Sequence, residues 1–154
     1  MGRSSRLTSY FFLSTFHFLC ASVASAQVQD WPQFRGPTGQ GHSSERGLPL
    51  EWSEARNVVW KTAVRGRGWS SPAVAGGRVW MTTAIADPGG ASLRALAFDV
   101  ETGTEAIDVE AFRLGSAALK NPKNSHASPT PIADGARVYV HFGGDGTAAI
   151  DAVS

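Results

Sequence analysis

Cysteine is almost absent from this chain of 154 residues: Cys20 is the only one, so no intrachain disulfide framework is possible. Excess charge is absent too. Fourteen Lys and Arg against 13 Asp and Glu leave a formal charge of +1, which excludes a strongly basic nucleic-acid binder. No Gly-rich phosphate loop precedes a helix, and no basic stripe is interleaved with aromatics. Beyond residue 26, no stretch carries the 3.6-residue apolar period of a useful amphipathic helix. What is present is turn chemistry. Seventeen glycines and eight prolines disfavour a helical bundle, and 42% hydrophobic content is too high for a disordered tail.

The first 26 residues read separately from the rest. Arg3 and Arg6 form a positive start, and no acid occurs before Asp30. Leu7 to Val23 is mostly apolar and aromatic, and Ala24-Ser25-Ala26 offers small residues where a signal peptidase reads. A secretory signal peptide cleaved after Ala26 is expected. The competing transmembrane anchor is disfavoured because Ser14, Thr15 and His17 interrupt a run already short of the roughly 20 apolar residues a span needs. A lipoprotein anchor at Cys20 is disfavoured by the bulky Phe18-Leu19 before it. A cysteine-free mature chain, with no membrane span after cleavage, suits a bacterial periplasm or the cell exterior.

Residues 71–81 and 130–140 repeat one wording at an offset of 59. Ser71-Pro72-Ala73-Val74-Ala75-Gly76-Gly77-Arg78-Val79-Trp80-Met81 matches Thr130-Pro131-Ile132-Ala133-Asp134-Gly135-Ala136-Arg137-Val138-Tyr139-Val140. Each copy reads as strand, turn, strand, with Gly76-Gly77 and Asp134-Gly135 as turn residues. A third strand follows at an offset of 52, where Leu96-Ala97-Phe98-Asp99 matches Ala148-Ala149-Ile150-Asp151. The offset changes because the joining segments Thr82 to Ala95 and His141 to Thr147 differ in length, which places the insertion in a loop. Asp99 with Thr102-Gly103 reads as a turn, with a fourth strand at Glu105 to Val109. Ser154 occupies the place of Thr102, so the chain is expected to be an N-terminal fragment of a longer protein. Asn57 to Thr62 reads as a further strand, residues 27–56 as an extended N-terminal arm, and Arg113 to Ser125 as a long connection with at most a helical turn at Ser116 to Leu119.

Short strands in a repeated unit of four give the fold expectation. It is all-β: a partial β-propeller of about two four-stranded antiparallel blades within residues 57–154, plus the arm. A β-sandwich is the alternative. Ser71-Pro72-x-Val74 through Val79-Trp80, followed by Ala97-Phe98-Asp99-x-x-Thr102-Gly103, resembles the pyrroloquinoline-quinone-type (PQQ-like) propeller repeat. Trp31-Pro32-Gln33-Phe34-Arg35-Gly36-Pro37, Gly68-Trp69-Ser70-Ser71-Pro72 and Asn124-Ser125-His126-Ala127-Ser128-Pro129 are similar to words of exported proteins in that group. The resemblance implies a tryptophan docked between blades soon after each Thr-Gly turn. Here Ile107 stands near that place, and Trp60 is the well-placed candidate.

For function, the resemblance implies two readings. The favoured one is a non-catalytic binding or scaffold module, without cofactor, that takes a protein partner or small ligand at the propeller face. A related propeller assists outer-membrane β-barrel assembly. The alternative is an alcohol or sugar dehydrogenase using PQQ and calcium, but no Glu/Asn/Asp calcium set can be matched. Asp99 to Glu110 spaces its acids faintly like a calcium loop yet has Thr104 where glycine is required. His42 and His141 lack partners at metal spacing, and Ser70 and Ser71 lack a nucleophile elbow. Arg67, Trp69, Asn124 and His126 precede the first strands of the two copies and are candidate ligand-binding residues in a shared pocket; core packing of Trp69 and a loop hydrogen bond for His126 are the alternative. Trp31, Phe34, Trp52, Trp60 and Trp69 raise a carbohydrate-binding module as a third possibility, but their spread over separate strands and turns favours core packing. Because repeats of this kind bury their faces only against neighbours, the isolated 27–154 piece is expected to be marginal or aggregation-prone; a sharp two-state melt of the monomer would contradict this.

Overall fold

The computed structural model describes residues 29–115 and 123–153. The expected signal peptide, Cys20 and the possible helical turn at Ser116 to Leu119 lie outside the described residues. The described chain is all-β. Four strands, β1 (Ala73–Ala75), β2 (Arg78–Asp87), β3 (Gly90–Asp99) and β4 (Glu105–Gly115), form an antiparallel sheet in the order β1-β2-β3-β4. Three more, β5 (Ile132–Asp134), β6 (Arg137–His141) and β7 (Thr147–Asp151), form a second sheet in the order β5-β6-β7, with a short 3-10 turn at Gly143–Asp145. Among the described residues no helix is long and apolar enough to cross a membrane.

The repeated wording produces repeated pairing. Ala73 faces Trp80 and Ala75 faces Arg78, while Ile132 faces Tyr139 and Asp134 faces Arg137. Arg78 faces Asp99 and Met81 faces Leu96, while Arg137 faces Asp151 and Val140 faces Ala148. Even the closing bonds correspond. Val100 N donates to Gly77 O, and Ala152 N donates to Ala136 O. Glu101 N donates to Asp99 Oδ1, and Val153 N donates to Asp151 Oδ1.

Several sequence expectations are corrected. The segment Thr82 to Ala95 is no loop insertion: β2 and β3 continue through it and turn at Pro88-Gly89. Its β-branched Thr82, Thr83 and Ile85 favour a pleated strand, and Asp87 Oδ1 caps the turn by accepting from Gly89 N. β4 runs on to Gly115, well past Val109, because the lengthened β3 offers it a partner throughout. Among the described residues the second sheet has three strands, the counterparts of the first three of the first sheet. Its first turn is Gly135-Ala136, since Asp134 pairs with Arg137 inside the ladder. Only Gly135 of that pair has positive φ, the pattern of a type II′ turn; Gly76 and Gly77 both have it. Asn57 to Thr62 is not a strand. Asn57 adopts φ 59°, which breaks an extended run at its start, and Val59 is left exposed.

Trp60 nevertheless docks. Its Nε1 donates to Val100 O at 2.9 Å, and Thr62 Oγ1 donates to Gly103 O at 2.7 Å. The ring lies so close to Gly103 that a Cβ there would meet it at 2.5 Å. The arm is also tied in. Trp31 exchanges two backbone bonds with Val74, and Pro32 O accepts from Ala133 N, the repeat equivalent of Val74.

The core lies between the sheets. Ala73, Trp80, Ala97 and Ile107 form a buried row across all four strands of the first sheet. They share one apolar cluster with Val138 and Val140 of β6 and with Phe142, which follows that strand. Strand β6 alternates cleanly, with Val138 and Val140 buried and Arg137, Tyr139 and His141 outward. Small Ala95 and Ala97 make room for the larger side chains opposite, and Phe112 meets Phe142 edge-to-face at 6.0 Å. Gly103→Ala should cost about 2–3 kcal/mol, combining φ +69° with displacement of Trp60, whereas Gly76→Ala, with φ +59° but open space around it, should cost about 1 kcal/mol; urea midpoints of the two variants test this ordering.

Candidate functional site

The site is built from the segment that leads into β1. Gly66 and Gly68 flank Arg67, and both glycines lie flush on β2. A Cβ on Gly66 would meet Ala84 O at 2.6 Å, and one on Gly68 would meet Thr82 O at 2.4 Å. This close approach lets Arg67 exchange two backbone bonds with Ala84, both 2.9 Å, as an isolated bridge on the β2 edge beyond the reach of β1. The corresponding segment of the second copy, 124–127, is stitched to it. Trp69 N donates to Ala127 O at 2.8 Å, and Ser125 Oγ donates to Arg67 O at 3.1 Å.

These bonds bring the four sequence-selected residues together. Arg67, Trp69, Asn124 and His126 all line one cleft of about 250 Å³, with Ala84, Ala86 and Ala91 among the residues of its apolar wall. Trp69 is 62% exposed and is not a core residue. The His126 side chain is mostly covered, and its Nδ1 sits 3.3 Å from Asp145 Oδ2, the loop bond expected as the alternative role. Asn124 Oδ1 accepts from Ser125 N at 3.1 Å. Ser125 and Asp145 were missed by sequence reasoning. Ser125 stood inside the Asn-Ser-His wording and had a visible signal; Asp145 stood in a Gly-rich turn, and only the fold carries it to His126.

The remaining charges belong to a different place. Across β3 and β4, Asp108 bridges Arg65 and Arg94, while Glu110 meets Ser92, Arg94 and Arg113, and Arg113 reaches Asp87. Burial pushes the Asp108 carboxyl up, but bonds from Arg94 and Arg65 outweigh it and hold it below the usual range. Glu110 is lowered by the Ser92 hydroxyl and by Arg113, and Asp87 by Arg113. Asp99 is lowered by the Thr102 amide and hydroxyl, so its carboxylate is spent on the turn. Asp99 and Glu110 therefore do not form a calcium loop. Among the described residues no group of three or more His, Cys, Asp or Glu is placed to hold a metal ion.

Comparison with protein-family models, with curated proteins and with solved structures finds no match to this chain.

The four lowered carboxylates set a pH dependence. A carboxylate whose folded pKa lies below its unfolded value contributes stability that is full above about pH 4–5 and is lost as pH falls through the folded value. Thermal midpoints measured from pH 6 to pH 2.5 should fall as acid is added, and Asp108→Asn should flatten that fall while lowering the midpoint at pH 6 by the equivalent of about 1 kcal/mol.

Proposed function

We propose that this chain is part of an exported PQQ-like β-propeller that serves as a non-catalytic binding or scaffold module. The observation that carries the binding reading is the convergence of Arg67, Trp69, Asn124 and His126 on one cleft from segments more than fifty residues apart. Two supports favour the propeller. Both copies adopt the same strand register, and successive sheets pack face to face. The second is the contrast between equivalent rows. Ala73, Trp80 and Ala97 are buried under the second sheet, with Trp80 at 1% exposure; their counterparts Ile132 and Tyr139 are 47% and 37% exposed, and Ala149 is open too. A face built for a neighbouring sheet is thus left uncovered in this chain, as a radial stack of like sheets would leave it.

Catalysis is not favoured. Among the described residues the cleft holds no paired carboxylates, no nucleophile with a placed base, and no acid cluster for a metal. On this reading the first 26 residues direct export and are removed, so the exported product begins at Gln27.

Two measurements test it. Dye-linked oxidation of alcohols and sugars, with quinone and calcium added, should stay at background; activity that needs both additions would overturn the non-catalytic reading. Tyr139→Lys should weaken concentration-dependent self-association in sedimentation velocity and leave the melt nearly unchanged, whereas unfolding of that variant would show that the Ile132–Tyr139 face is already covered.

A further inference from the structure

We propose that the cleft takes a carboxylated sugar ring, a hexuronate, with Arg67 receiving the carboxylate and Trp69 stacking on the ring; this rests on the binding-module reading above. The polar inventory of the cleft is one-sided. The Arg67 guanidinium has no ion pair or hydrogen bond among the described residues, although Arg65, Arg94 and Arg113 nearby are all paired. Asn124 spends its carbonyl oxygen on Ser125 N and keeps its Nδ2 donors without a protein partner among the described residues. Among the described residues no Asp or Glu lines the cleft; nearby, Asp145 is engaged by His126, and Asp87, which pairs in register with the lining residue Gly90, by Arg113. Unspent donors with no acceptor call for a ligand that brings acceptors and negative charge. A guanidinium is always charged and binds a carboxylate bidentately, so a neutral apolar ligand would desolvate it without return.

The shape agrees with a single ring. About 250 Å³ is below the roughly 300–1,000 Å³ of drug-sized pockets. An indole 62% open to water forms one wall, and the alanines at 84, 86 and 91 contribute an apolar wall that a sugar ring's C–H face can lie against. The site is also held in place before any ligand arrives. Arg67 is fixed to Ala84 by two backbone bonds, between glycines whose missing Cβ atoms allow the contact, and Ser125 and Ala127 fix the opposite lip.

The test is a titration of the isotope-labelled chain, followed by the Trp69 indole and Asn124 side-chain amide resonances. An oligogalacturonate should move both, at least tenfold more tightly than a neutral glucose oligomer of equal length, and added salt should weaken it. Arg67→Gln should cost about tenfold for the acidic sugar and leave the neutral one unchanged, and Trp69→Ala should abolish both; spectral dispersion confirms that each variant is folded. Equal binding of the neutral sugar, or no effect of Arg67→Gln, would overturn the carboxylate inference and leave the binding-module reading intact. Movement only with benzenetricarboxylate would overturn the sugar as ligand class and keep the cleft as a binding site. Unmoved resonances with all three probes would sink both.

Discussion

Everything in this molecule depends on one apolar seam. Trp80 and its flanking alanines on the first sheet receive Val138 and Val140 of β6 and Phe142, which follows that strand. Each large side chain buried there is worth roughly 1.5–3 kcal/mol. The fit is a matter of size: alanines at 73, 95 and 97 on one side leave depth for valine and phenylalanine on the other. Once the sheets are seated, the segments entering β1 and β5 lie side by side, and the cleft follows as a consequence.

The glycines carry a second layer of constraint. Gly66, Gly68 and Gly103 are places where a backbone or an indole approaches too closely for any Cβ. At Gly66 and Gly68 this presses a coil segment against the β2 edge, so that Arg67 is presented on a stiff support without itself belonging to a strand. At Gly103 the same device seats Trp60 on the turn of the first sheet. The Arg–carboxylate lattice across β3 and β4 is separate in both position and role. It ties neighbouring strands by paired charges and leaves nothing over for a ligand.

Where sequence reading failed, the competing physics is identifiable. The wording Asn57-Val58-Val59-Trp60 has high strand propensity, but Asn57 turns left-handed and Trp60 spends its indole N–H on a carbonyl of the adjacent turn. The reverse error occurred at Thr82 to Ala95. The second copy lacks that stretch, which makes it read as a loop insertion, although Pro88-Gly89 is itself a two-residue turn between strand-forming residues.

The local pattern alone determined that each repeat is built of short strands joined by turns at Gly76-Gly77 and at Gly135, because these follow from apolar runs punctuated by residues that tolerate positive φ. It also singled out Arg67, Trp69, Asn124 and His126, since all four stand in the segments that lead into a first strand. Only the tertiary structure decided that these four share one cleft, that the Arg67 side chain has no partner among the described residues while Arg65, Arg94 and Arg113 do, and that the Tyr139 row stays open while the Trp80 row closes. Those facts depend on how two sheets meet across dozens of intervening residues, and no local spacing encodes a contact between segments so far apart in the chain.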